Sequence, residues 1–400
     1  MSESITLATA GESHGPQVTA ILAGIPAGLH VSADDIDRDL ARRQVGYGRG
    51  GRMRIEADRA WIRGGIRHGL TLGSPICLVI DNRDWRNWED EMSPHPPAAG
   101  WRSERSVTVP RPGHADLAGG AKFGHADMRS VLERASARET AARVAAGAVC
   151  RRLLAELGMV VRSRTLAIGG VRTERPIEQG ACWDAVEASD LRCNDEGAAA
   201  EMRQAIDRAR QAGDSLGGVI EVVAEGVPPG LGSYASWDER LDGRLAQALM
   251  SVPAIKAVEI GVGMAAADLP GSQVHDEILS RPDAAEGQWP FMRPTNRAGG
   301  VEGGVSNGEP IVARLAMKPI PTLMSPLRSV DVRTGDAAEA HAERSDVCAV
   351  PAAGVVAEAM MALVLASACR AKFGGDCVED MRAAFGLYLL RLGLPWSDDE

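Results

Sequence analysis

The chain has 400 residues, 45% of them hydrophobic and 24% charged, which is ordinary for a globular protein able to bury a sizeable core. Its net charge of −10 argues against nucleic acid or an anionic membrane as the partner of the whole surface. Seven cysteines (77, 150, 182, 193, 348, 369 and 377) form no C-x-x-C pair, which excludes zinc spacing and a disulfide framework and fits reduced thiols.

The first residues lack the basic and apolar segments of a secretory signal, so a cytoplasmic protein is expected. Strands are predicted at 5–8 and 18–23, around the loop Gly11-Glu12-Ser13-His14-Gly15. Residues 32–43 spell a helix, with Ser32 as its cap, Asp35 three residues on, and Ile36 and Leu40 on one face. Further strands are expected at 54–57, 76–81, 160–168, 218–224, 257–262 and 311–317. Helices are expected at 137–157, 196–212, 236–250, 352–372 and 376–392. Val347–Cys369 carries one charge, Glu358, and has the length of a membrane span. Its Pro351, Gly354 and many alanines, with no second span, point instead to a helix buried at the centre of the protein. The helix at 137–157 is also apolar on most of its surface. Two such helices need cover on most sides, so the expected class is α+β with sheets outside a helical centre. No composition shift divides the chain, and 1–400 is taken as one domain. Segments 44–52, 82–130, 226–235, 264–310 and 318–345 are long, Gly- and Pro-rich connections of the kind that carry function.

Between Arg42 and Arg67 lie eight arginines against two acids, Glu56 and Asp58. The planar guanidinium pairs bidentately with carboxylate or phosphate, and the glycines of 46–51 let backbone approach an anion. His14 and His114, the latter in Arg111-Pro112-Gly113-His114-Ala115-Asp116, sit in loops beside charged groups. Each can donate or accept a proton near neutral pH. A merely solvated histidine is the bland alternative, and composition alone does not separate these two from His125 or His341. The two apolar helices begin at polar clusters, Arg134–Thr140 and Arg344–Asp346. Ser136 and Asp346 are ordinary capping residues, but arginines at a helix N-terminus are unfavourable unless an anion lies there. The residues therefore describe an enzyme that holds a small polyanion with arginines and works on it with histidines. A non-catalytic polyanion binder, using the RGG-like loop on RNA, is the rival from another class.

Six motifs in order carry a resemblance to a known family: Gly11–Gly15, Arg111–Asp116, Glu133–Thr140, Gly299–Gly304, Lys318-Pro319 and Arg344–Asp346. In order and spacing they resemble chorismate synthase, over about residues 5 to 390. The resemblance implies a β-α-β sandwich with buried central helices between antiparallel sheets, usually a homotetramer. It implies a carbon–oxygen lyase that removes phosphate from 5-enolpyruvylshikimate 3-phosphate by 1,4-trans elimination to give chorismate. This is the last step of the shikimate pathway, in aromatic amino acid biosynthesis. Reduced FMN is required though there is no net redox change; NADPH or an outside reductant supplies the electrons.

By the resemblance, Arg43, Arg49, Arg52, Arg111 and Arg138 face the substrate's anions or NADP. His14 is similar to the family histidine that protonates the leaving phosphate, and His114 to the one that protonates reduced FMN. Asp346 with Ser13 resembles the pair that helps deprotonate the flavin as the C6 hydrogen is taken. FMN contacts are implied for Arg134, Ala135, Ser136, Gln247, Ala248, Gly303, Lys318, Pro319, Ile320, Pro321, Thr322 and Arg344. Three positions depart from the pattern: Ala23, where an acid or hydroxyl is common; Ala135, where a second serine is common; and Arg297, where His is frequent. None removes a proton-transfer group. Neither nucleic acid, membrane nor metal is expected.

Overall fold

The computed structural model describes residues 5–50, 57–176, 183–282, 284, 288–341 and 346–393. Two antiparallel sheets enclose a layer of helices. The first contains β1 (Thr6–Ala10), β2 (Gln17–Ala23), β3 (Trp61–Gly64) and β4 (Ile76–Asp81) in the order β1-β2-β4-β3. The second contains β5 (Val160–Ile168), β6 (Val171–Arg172), β7 (Gly218–Glu225), β8 (Ile255–Ile260) and β9 (Ile311–Met317) in the order β8-β9-β7-β5-β6. The longer helices are α1 (Ala33–Gln44), α2 (Asp116–Phe123), α3 (Arg129–Arg134), α4 (Thr140–Glu156), α5 (Glu196–Ala212), α6 (Leu241–Met250), α7 (Val350–Phe373) and α8 (Val378–Leu392).

The layers follow from the apolar patterns. Helix α4 packs on β2 and β4 of the first sheet and on α1 and α7; α7 packs on β5 and β7 of the second. Small residues let the two central helices touch: a Cβ added to Gly147 would lie 2.3 Å from the Cβ of Ala359. Helix α7 has membrane-like length and hydropathy, yet 94% of its most apolar window is buried inside the protein. One continuous apolar cluster joins both sheets through these helices. The α+β class and the sheets outside a helical centre agree with the expectation.

Local chemistry explains the boundaries. Ser32 caps α1 as expected: its Oγ accepts from the Asp35 N–H at 3.1 Å, and Asp35 Oδ2 accepts from the Ser32 N–H at 3.0 Å. The predicted helix 137–157 begins with a 3-10 turn, Ala137–Glu139, capped by Ser136. The predicted helix 236–250 starts only at Leu241, because the Leu241 N–H donates to Gly304 O at 2.8 Å rather than within a preceding turn. Asp346 is not the cap of α7; that position is Ala349. The strand expected at 54–57 falls almost wholly outside the described residues. Strand β3 and helices α2 and α3 were not predicted. In α2, Gly119 and Gly120 disguise a helix, and packing demands them: a Cβ on Gly119 would lie 2.5 Å from Val131 of α3.

Candidate active site

A cavity of about 520 Å³ opens between the ends of the helical layer. Its lining includes Ser13 and His14 from the β1–β2 loop, Arg43 from α1, Arg49 from the loop after it, and Arg111 and His114 from the loop before α2. Ala135 and Ser136 come from the turn before α4, Lys318, Ile320, Pro321 and Thr322 from the segment after β9, and Asp346 from the approach to α7. Leu132, Val252, Ala352, Ala353 and Val356 form apolar wall. The described lining carries Arg43, Arg49, Arg111 and Lys318 and one acid, Asp346; two more acids, Asp58 and Asp116, lie behind Arg43 and Arg111. Cations still exceed acids here, in a protein that is acidic as a whole, which favours an anionic ligand.

The β1–β2 loop is held from several sides. Gly11, at φ +101°, admits no side chain, since a Cβ there would lie 2.2 Å from Gln17 O. Asn82 Nδ2 donates to Glu12 O and Gly15 O at 3.0 and 2.7 Å. The buried His14 has its Nδ1 2.8 Å from Glu133 Oε1, and its ring lies flat against Trp88 with centroids 3.9 Å apart. Ser136 Oγ donates to the Ser13 hydroxyl at 3.1 Å.

His114 stands on a different carboxylate. Its Nδ1 is 2.5 Å from Asp116 Oδ1, while Arg111 Nε donates to Asp116 Oδ2 at 2.9 Å and Arg111 Nη1 to Thr322 Oγ1 at 2.9 Å. Burial by itself would raise the Asp116 pKa; the hydrogen bonds from His114 and Arg111 and their charges outweigh it and hold the carboxyl well below the usual range. Lys318 Nζ donates to Gly113 O, closing this corner of the cavity.

The arginines divide by what they touch. Arg49 pairs with Asp346 at 3.2 Å, and Asp346 Oδ1 also accepts from the Gly50 N–H at 2.6 Å. Arg49 Nε is buried and has no hydrogen-bond partner among the described residues. Arg43 donates to Thr140 Oγ1 and Ala137 O and faces Asp58. Arg138 does not line the cavity. It donates to Asp58, to Asn82 Oδ1 and to Asp81 O, and so braces the β1–β2 loop from behind through Asn82. Arg134 likewise turns away, donating to Thr9 O and Gly11 O. Gln247 and Ala248 on α6, Gly303 in the turn between Val301–Glu302 and Val305–Ser306, and the exposed Pro319 are not among the lining residues either. Arg52 and Arg344 lie outside the described residues. Burial pushes the Cys348 thiol, two residues from Asp346, up to about 11, so it is a neutral packing group.

Sequence reasoning gave no role to Glu133, Asp116, Asp58 or Trp88. An acid two residues after His114 was a usable signal for Asp116. Glu133 opens one of the six motifs but without a role there; it and Trp88 meet His14 only through the fold.

A cationic cavity walled on one side by apolar residues and carrying two carboxylate-backed histidines defines an enzyme acting on a small anionic molecule. Known proteins agree. The family model for chorismate synthase matches residues 5–369. A chorismate synthase of Moorella thermoacetica is 58% identical over 95% of this chain and 98% of its own length. That of Desulforudis audaxviator is 57% identical over 96% and 97%. A crystal structure of a chorismate synthase superposes with a TM-score of 0.77 at 42% identity, covering 98% of both chains. The chain belongs to the chorismate synthase family, lyases of the shikimate pathway that serve aromatic amino acid biosynthesis.

Proposed function

We propose that this chain, acting as one catalytic domain over residues 1–400, converts 5-enolpyruvylshikimate 3-phosphate to chorismate and phosphate. The reaction breaks the C3–O bond, removes a hydrogen from C6 and leaves a new double bond, with no net redox change. The observation that carries the reading is the gathering of Arg43, Arg49, Arg111 and Lys318 with His14 and His114 in one lining: these four cations outnumber the three acids paired with them, Asp58, Asp346 and Asp116. A substrate with two carboxylates and a phosphate would draw on those forked donors. Arg49, Arg43 and Arg111 bind and orient it, because forked donors fix an anion's direction as well as its charge. Asp346 holds Arg49 in place until the substrate's anion shares it.

His14, backed by Glu133, is the acid that protonates the departing phosphate oxygen, and the low-dielectric wall strengthens that donation. Asp346 and Ser13 both line the cavity and, by the resemblance, are the pair that would help deprotonate the bound flavin as the C6 hydrogen is taken. His114, held by Asp116, is a second proton-transfer group in the same lining, assigned by the resemblance to the flavin. The apolar wall, about 520 Å³ of space and the stiff, Pro-rich segment 318–322 with its Lys318 suit a flat ring with a phosphate tail. Reduced FMN, when bound, would lend electron density to the breaking C–O bond and recover it. Ala135, Ser136, Lys318, Ile320, Pro321 and Thr322 line the cavity and, by the resemblance, would hold it. The remaining family positions, Arg52, Arg134, Arg138, Gln247, Ala248, Gly303, Pro319 and Arg344, stay assigned by resemblance alone. The same resemblance supports a cytoplasmic homotetramer and NADPH as the reductant to try first.

Anaerobic incubation of the full chain with reduced FMN and 5-enolpyruvylshikimate 3-phosphate tests the reading. Chorismate and phosphate should appear in equal amounts. Folded, flavin-loaded protein that releases neither would overturn it.

A further inference from the structure

Behind His14 lies a carboxylate that no step above uses as an acid or base. Glu133 has a fully buried side chain. Its Oε2 accepts from the His14 backbone N–H at 2.8 Å, and its two oxygens lie 2.8 and 2.9 Å from His14 Nδ1. Arg129 Nη1 donates to Oε1 at 3.2 Å, one turn along α3. The ring of Trp88 lies over the imidazole at an interplanar angle of 20°. That indole is in turn covered by the guanidinium groups of Arg105 and Arg129, 4.0 and 5.1 Å from its centroid.

Burying a carboxylate is costly unless it is paired and hydrogen-bonded. A simple tie between α3 and the β1–β2 loop needs no such group, since the Ser13 N–H already donates to the Glu133 backbone carbonyl at 3.0 Å. An ionised carboxylate only accepts hydrogen bonds, so a nitrogen held 2.8 Å from it must carry the hydrogen. We infer that Glu133 is the positioning residue for His14. It fixes the Nδ1–H tautomer and, with Trp88 as a flat stop, the plane of the ring, leaving Nε2 as the nitrogen that exchanges a proton with the ligand. The effect on turnover rests on the reading of His14 as the phosphate's acid; the effect on the tautomer does not.

The test uses full-length protein labelled with [15N]histidine, with His14 assigned by the signal missing from His14→Ala. At a pH where imidazoles are neutral, wild-type His14 should show a protonated Nδ1 and an unprotonated Nε2. Glu133→Ala should shift it toward the Nε2–H form. Glu133→Gln, nearly isosteric, should lower kcat by about tenfold or more while KM stays within about threefold. A wild-type His14 signal with Nε2–H, a result that does not depend on Glu133→Ala folding, would overturn the inference. So would a tautomer unchanged in Glu133→Ala. A changed tautomer with unchanged turnover would support the positioning role and remove His14 as the acid.

Discussion

Two histidines share one cavity, and each is backed by a buried carboxylate that also binds an arginine: Glu133 with Arg129 behind His14, Asp116 with Arg111 behind His114. Such a pair holds the ring still while letting its other nitrogen trade a proton. His14→Ala and His114→Ala should therefore each lower kcat by about 100-fold or more while KM changes far less. Steady-state kinetics with near-normal kcat in either variant would remove that residue's proton-transfer role. Asp116 makes a separate prediction about acid. Its folded-state pKa is depressed, so its contribution to stability is present above the unfolded value of about 3.9 and is lost as pH falls through the folded one. Unfolding midpoints of wild type and Asp116→Asn should differ at neutral pH and converge in strong acid; a difference independent of pH would contradict this. Much of the site was legible in the sequence as residue types, because Gly-bounded histidines and loop arginines have few structural uses. Which arginines face a ligand was not. Arg43 and Arg138 look alike in sequence, yet one lines the cavity and the other braces Asn82.

At the scale of elements, the buried helix α7 carries one charge through the core. Glu358, fully buried, is met by Arg42 of α1 at 2.8 and 2.9 Å, by Arg192 at 3.0 Å, by Arg151 of α4 at 3.2 Å and by the Ser163 hydroxyl at 2.7 Å. Burial would raise its pKa, but the three arginines hold it down, so α1, α4 and α7 are locked by charge as well as by packing. Since Arg43 follows Arg42 on α1, this lock also fixes where a cavity arginine stands. Glu358→Ala should cost about 3 kcal/mol or more, because it removes the buried acid that Arg42, Arg151 and Arg192 share and leaves them only Asp39 and Glu187 as acidic partners. Denaturant unfolding with a loss below about 1 kcal/mol would show that Asp39 and Glu187 suffice to hold them. Gly147→Val, which drives a side chain into Ala359, should cost a few kcal/mol by overpacking, about 1–3 or more. The period of apolar residues announced α4, α7 and the longer strands. It failed for α2, whose glycines serve α3 packing, and for β3, where the large apolar Trp61 is exposed and Gly64 takes an inward position.

Over the whole molecule, a net charge of −10 goes with a cavity whose described cations outnumber its acids. That combination favours a small anion over RNA, whose long backbone a net negative chain repels. The measurement that tests the account most directly is anaerobic quenched-flow phosphate release, run with reduced FMN on wild type and His14→Ala, with substrate binding measured on the same preparations. Wild type should release phosphate and chorismate one for one, leaving the flavin as reduced as it began, while His14→Ala binds substrate almost as well and releases phosphate about 100-fold more slowly or worse. Equal release rates from the two proteins, or phosphate without chorismate, would contradict the account.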